Sequence, residues 1–164
     1  MPTCRLIIAG EPDVLAASLV GRLHPAMPRI AHMLVNAGTT DDIDQVQARS
    51  MAFAACVPVA DEALIVTILV APPPGLDDAR ARAASVGLWD FTRQAALAWA
   101  PRRIRVNALG LGASPTLPFG PMEDAGRAAG AVAGQAATLE DIVRTLLAMA
   151  AWPSMTGQII RLGA

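Results

Sequence analysis

Short apolar runs closed by turn residues alternate with longer amphipathic stretches along the chain. Residues 4–9 (Cys-Arg-Leu-Ile-Ile-Ala) form the first run, stopped by Gly10-Glu11-Pro12-Asp13. Residues 31–36 (Ala-His-Met-Leu-Val-Asn) form the second, ended by Ala37-Gly38. Leu64 to Ala71 is uncharged and rich in β-branched residues, and Pro72-Pro73-Pro74 closes it. Arg103 to Ala108 and Gln158 to Leu162 complete the set. Runs this short and this β-branched predict strands. Helices are predicted at 13–23 with Asp13 as N-cap, from Thr40 or Asp41 to about Cys56, at roughly 76–99, and at 139–151. The last begins with Thr138 as N-cap and Asp141 at the third helical position. A cap oxygen there accepts an orphan N–H, and a carboxylate suits the positive end of the helix. The proline-bearing stretch 24–29 and the Gly-, Pro- and Ala-rich stretch 109–136 read as loops.

Strands and helices alternate throughout, and the strands are apolar on both sides. Such strands lie in a parallel sheet covered by helices on both faces, with right-handed crossovers. No internal repeat or linker interrupts the pattern, so residues 1–164 are expected to form a single α/β domain.

Composition narrows the setting. Hydrophobic residues make up 54% of the chain and charged residues 16%, which describes a globular protein and not a disordered one. A net charge of −1 offers nothing to a nucleic acid. No apolar run reaches the ~18 residues of a membrane span, and the first run is broken too early for a signal peptide, so a cytoplasmic location is expected. Cys4 and Cys56 sit in apolar runs and read as buried thiols. His24 and His32 lack partners at ligand spacing, so no metal is expected. The low charge beside such high apolar content suggests that a second subunit covers part of the surface.

Three stretches resemble the short-chain dehydrogenase/reductase family. Ala100-Pro101-Arg102-Arg103-Ile104-Arg105-Val106-Asn107-Ala108 is similar to its sixth strand and the turn before it. Met155-Thr156-Gly157-Gln158-Ile159-Ile160-Arg161-Leu162-Gly163-Ala164 is similar to its last strand, and Leu34-Val35-Asn36-Ala37-Gly38 resembles the strand end that supports its cofactor site. The resemblance implies a Rossmann-like, doubly wound parallel sheet. The first strand and helix match, but the strand at 31–36 resembles the family's fourth. Its second and third strands are therefore expected to be missing, with residues 24–30 in their place. The family order 3-2-1-4-5-6-7 then reduces to five strands, 1-4-5-6-7, with the first at an edge.

The departures touch the chemistry. The resemblance implies a Tyr general acid four residues before a Lys, on the helix after the fifth strand. This chain has no tyrosine, and its 13 basic residues are all Arg. Ala81 and Ser85 stand at the two positions, so no catalytic residue is expected. Val70-Ala71-Pro72-Pro73-Pro74 offers no hydroxyl where the family has its Ser, and Ser50 aligns near its supporting Asn. The glycine turn reads Ala9-Gly10-Glu11-Pro12-Asp13-Val14-Leu15-Ala16 and keeps only Gly10. Acidic Glu11 and Asp13 are unfavourable beside a diphosphate. Gly112-Ala113-Ser114-Pro115-Thr116 resembles the stretch whose Thr contacts the nicotinamide amide. Gly10, Asn36, Gly38 and Thr116 are thus the surviving cofactor-site positions, and no bound cofactor is expected, with NAD(P) as the lesser possibility.

What the resemblance retains is the half that oligomerises in that family. The helix at 76–99 carries one apolar stripe, Ala81, Ala84, Leu88, Phe91, Ala95 and Trp99, with Val86 and Trp89 partly off it. Leu88, Trp89, Phe91, Trp99 and Trp152 are the interface candidates. The leading expectation is a catalytically inactive subunit that pairs with itself or with a full-length active relative. The alternatives are an NAD(P)-dependent oxidoreductase with relocated chemistry, drawing on His24, His32, Glu11 or Asp13, and a small-molecule binding module using the crevice among residues 10–14, 38–40 and 109–118.

Overall fold

The computed structural model describes residues 5–9, 22, 31–38, 43–70, 78–111 and 137–162. In chain order the elements are β1 (Arg5–Ala9), β2 (His32–Gly38), α1 (Ile43–Cys56), β3 (Ala63–Val70), α2 (Asp78–Trp99) with a 3-10 turn (Ala100–Arg102), β4 (Ile104–Leu111), α3 (Leu139–Ala151) and β5 (Ile159–Leu162). The described strands form one five-stranded sheet in the order β1-β2-β3-β4-β5, and every pairing is parallel. This is the α/β architecture and the strand order expected from the sequence. The helix expected at 13–23 and the loops at 24–29 and 112–136 lie outside the described residues, apart from Arg22.

Successive strand residues face opposite sides of the sheet, and the two sides carry different helices. Met33, Val35, Leu64, Val66, Ile68 and Leu109 meet Ile142, Leu146 and Met149 of α3. On the other side Leu34, Ile65, Ile104 and Val106 meet Phe53 and Ala54 of α1 and Ala95 and Ala96 of α2. Toward the carboxyl ends of the strands Val46, Leu69 and Leu88 close a smaller cluster.

β4 extends to Leu111, beyond the end at Ala108 that the sequence suggests, because Gly110 does not break it. A Cβ on Gly110 would stand 3.2 Å from the Trp89 ring, so the glycine makes room for the indole while its backbone pairs with Leu69 and Arg161.

Three arginines around the start of β4 hold the lower end of the molecule. Neither α1 nor α3 has a basic residue in its last turn, so their terminal carbonyls need donors from elsewhere. Arg102 supplies α1, with Nη2 donating to Ala54 O at 2.7 Å and Val57 O at 3.1 Å. Arg105 supplies α3. Its Nη1 donates to Met149 O and Trp152 O, both at 2.7 Å, and its Nη2 to Ala150 O at 3.1 Å. Burial lowers the Arg105 pKa, and the charge of Glu62 acts in the opposite direction. Arg103, in the left-handed region at φ 59°, pairs with Glu62.

The segment leading into β5 is locked to β4. Asn107 Nδ2 donates to Met155 O, and Gln158 N donates to Asn107 Oδ1, both at 3.0 Å. Val106 N donates to Thr156 Oγ1, while Gly157 N donates to Val106 O at 2.7 Å. Gly157 has φ +69°, which a side chain would strain.

Two predictions follow from these contacts. Arg105→Ala removes three charge-assisted bonds and orphans the end of α3, and should lower the unfolding free energy by about 2–4 kcal/mol in urea titration. A loss within experimental error would show that the clamp is energetically idle. The second concerns the capping box at α3, where Asp141 N donates to Thr138 Oγ1 and Thr138 N donates to Asp141 Oδ2. The bonds from the Thr138 side chain and backbone hold the Asp141 carboxyl below the usual carboxylate range. A depressed folded-state pKa gives stability that is present above the unfolded value of about 3.9 and lost as pH falls through the folded one. Asp141→Asn should therefore cost stability at neutral pH, with the difference from wild type closing in acid. A difference that is constant with pH would exclude the carboxylate as its source.

Candidate functional site

In a parallel α/β sheet the helices start, and ligands bind, at the carboxyl ends of the strands. Here the register sets Gly38 beside Leu69, Val70 beside Leu111, and Leu111 beside Leu162, so the ends of β2 to β5 form one continuous edge. β1 ends lower, with Ala9 opposite Asn36. The helices α1 and α2 follow β2 and β3 and present their N-termini to this same edge. Helix N-termini attract phosphate through their free N–H groups and dipole.

Among the surviving cofactor-site positions, Gly10 and Thr116 lie outside the described residues. Gly38 ends β2 at the edge. Asn36 is fully buried, and its amide is used inside the protein. Its Nδ2 donates to Val46 O at 2.9 Å and lies 3.5 Å from Ser50 Oγ, and its Oδ1 accepts from Arg49 Nη1 at 3.1 Å. Asn36 thus ties α1 to β2 and supports the edge without touching it. Ser50 is equally buried and donates to Val46 O at 2.8 Å, so its hydroxyl is not presented to the edge. Ala81 and Ser85 both fall on α2, the helix implied by the resemblance.

The relocated-chemistry candidates divide by position. His24, Glu11 and Asp13 lie outside the described residues. His32 begins β2, at the end of the sheet opposite the ligand edge, and its Nε2 meets Asp61 Oδ2 at 2.9 Å. The sequence offers no partner for His32 at ligand spacing, because Asp61 is 29 residues away and arrives through the β2–β3 register. Cys56 also departs from expectation. It is exposed at the last residue of α1, while Phe53, Ala54 and Val57 turn inward.

The interface candidates are not equivalent. Leu88 has no exposed surface and packs on Val46 and Leu69, so it belongs to the core and presents nothing to a partner. Trp89 is half-buried against Gly110. Phe91 and Trp99 are half-buried and meet edge to face, with centroids 6.2 Å apart and planes at 81°. Trp152 is 58% exposed. Among the described residues of α2, Leu97 at 74% and Val86 at 64% are exposed large apolar side chains. Periodicity alone does not distinguish the core stripe from this outer one, since both repeat at helical spacing.

No family model and no curated protein matches the sequence. Solved structures do match. The chain is similar to the FolM alternative dihydrofolate reductase 1 of Brucella canis complexed with NADP, at 19% identity over 98% of this chain and 92% of that one, with a TM-score of 0.67. It is similar to the FolM alternative dihydrofolate reductase 1 of Brucella suis in complex with NADP, at 26% identity over 95% and 71% of the two chains, with a TM-score of 0.64. A short-chain dehydrogenase of Leptospira borgpetersenii with bound NAD+ matches at 15% identity over 92% and 68%, with a TM-score of 0.55. The fold is therefore Rossmann-like and of the short-chain dehydrogenase/reductase type.

These neighbours correct the expectation that no cofactor is involved. All three hold a nicotinamide dinucleotide, which points to cofactor binding on this fold. They also favour the oxidoreductase alternative over the inactive subunit. No described helix is long and apolar enough to cross a membrane.

Asn36→Ala removes one amide from a buried network and leaves Val46 O and Arg49 without that partner. It should lower stability by about 2–3 kcal/mol in chemical denaturation. Unchanged stability would show that the tie between α1 and β2 is dispensable.

Proposed function

We propose that this protein is an NADP(H)-dependent reductase of the short-chain type that works without a tyrosine–lysine pair. The observation that carries this reading is the similarity at 26% identity to an NADP-bound reductase, over nearly the whole chain. The described part of the edge fits a dinucleotide, with side-chain-free Gly38 at a strand end and two helix N-termini opening beside it. Bound there, the dinucleotide supplies a hydride.

The chain's own contribution must then be a proton, and its composition limits the substrate. Reducing a ketone leaves an alkoxide, which needs a well-placed acid. A C=N nitrogen is far more basic than a carbonyl oxygen, so it takes its proton from water or a carboxyl group before the hydride arrives, and the product is a neutral amine. A chain with no tyrosine and no lysine suits the second substrate class better. A dihydropterin carries such a bond, in keeping with the dihydrofolate reductase activity named for two of the neighbours.

NADPH added to the purified protein should quench tryptophan fluorescence saturably, with a dissociation constant in the micromolar range, about −8 kcal/mol. NADPH consumption at 340 nm should then appear with 7,8-dihydrofolate and be absent with simple ketones. No quenching at millimolar NADPH would end this reading. Binding without turnover would leave the second reading, a cofactor-loaded subunit that acts by pairing with itself or with an active relative. The exposure of Val86 and Leu97 on α2 favours that arrangement.

A further inference from the structure

A second concave site lies away from the carboxyl edge, on the α1 face of the sheet beside the edge-lying β1. It is a cavity of about 310 Å³. Ile7 and Leu34, directly paired across β1 and β2, form its floor, and Phe53 and Val57 of α1 form its wall. α1 returns antiparallel to the strands and borders the cavity from Arg49 to Cys56. Arg49 stands toward the carboxyl end and His32 toward the amino end.

The two polar ends differ in their electrostatics. His32 has a carboxylate partner in Asp61. Arg49 has none among the described residues. Its Nη1 donates to the amide oxygen of Asn36 and its Nη2 to that of Gln45, at 3.1 Å and 2.7 Å. Both acceptors are neutral, so the guanidinium is held in place by two hydrogen bonds while no carboxylate among the described residues pairs with it. A fixed, half-buried arginine is well suited to a carboxylate, which it engages through charge-assisted hydrogen bonds. Another polar cleft among the described residues offers a contrast. There Arg103 already pairs with Glu62, whose charge also acts on Arg105, so nothing calls for a further anion.

The geometry points to a binding site for a single-chain amphipathic carboxylic acid. The carboxylate lies against Arg49 and the hydrocarbon runs over Ile7, Leu34, Phe53 and Val57 toward His32. A mostly apolar cavity with one convergent charge is the usual form of such sites. At roughly 30 Å³ per methylene-sized group, the volume accommodates a chain of about ten heavy atoms. The inference does not depend on the reductase reading, since the site lies on the sheet face and not at the edge where a dinucleotide would bind.

Decanoate and decanol, both below their aggregation limits, test it by calorimetry on the wild-type protein without nucleotide. Decanoate should bind saturably at one site and at least tenfold tighter than decanol. Arg49→Gln, which keeps a hydrogen-bonding side chain but removes the charge, should bring decanoate down to the decanol level. Ala52→Trp, on the cavity-lining side of α1, should fill the space and abolish both. Equal binding of decanoate and decanol to the wild type, or no saturable binding of either, overturns the proposal even if neither variant folds. Undiminished decanoate binding to a folded Arg49→Gln or Ala52→Trp protein overturns it as well.

Discussion

The fold depends on β4 being held from both sides. A parallel sheet has no hairpins, so each strand reaches its neighbour only through a crossover, and the pairing must be fixed by contacts distant in sequence. β4 fixes them with side chains as well as backbone. Arg105 closes the end of α3, and Asn107 binds the carbonyl of Met155 and the amide of Gln158. Arg102, just before the strand, closes the end of α1. One stretch, Arg102 to Asn107, thereby joins the sheet to a helix on each face. The residues that carry the resemblance to short-chain dehydrogenases in this region are thus framework residues. Their similarity reports a shared fold more than a shared reaction.

The sheet was legible in the sequence because its signals are local. Uncharged β-branched runs, a proline stop after Ala71 and a capping box at Thr138 and Asp141 each need only a few neighbouring residues. Even the strand order could be read, since the two C-terminal motifs and the Asn36-Ala37-Gly38 strand end resemble those of short-chain dehydrogenases, and that resemblance implies the order. What could not be read depends on contacts across the fold. The His32–Asp61 pair, the exposure of Cys56, the burial of Leu88 and the inward commitment of Asn36 all follow from how α1 and α2 lie on the sheet. The Arg49 cavity was equally hidden, because it joins β1, β2 and α1 and no sequence motif announces it.

The missing tyrosine and lysine weigh differently once the structural neighbours are considered. From sequence alone they suggest an inactive subunit. Under the proposed reductase reading they instead restrict the kind of bond that could be reduced, because they remove a well-placed proton donor while Gly38 and the N-termini of α1 and α2 remain at the carboxyl edge. The molecule then has two separate regions with distinct chemistry. The carboxyl edge combines Gly38 with helix N-termini, and the α1 face combines apolar walls with an arginine held only by neutral acceptors among the described residues. The Arg102–Asn107 framework lies at the opposite end from the carboxyl edge, so it can stabilise the fold without constraining what binds there.

Hydrogen–deuterium exchange with and without NADPH tests the central claim most directly, because it reports where the dinucleotide binds as well as whether it does. The account predicts slower exchange at the carboxyl edge, around Gly38 and Leu111 and in the chain that follows each, with no change around His32 and Asp61. Protection confined to the His32 end of the sheet, or no protection at saturating NADPH, would contradict it.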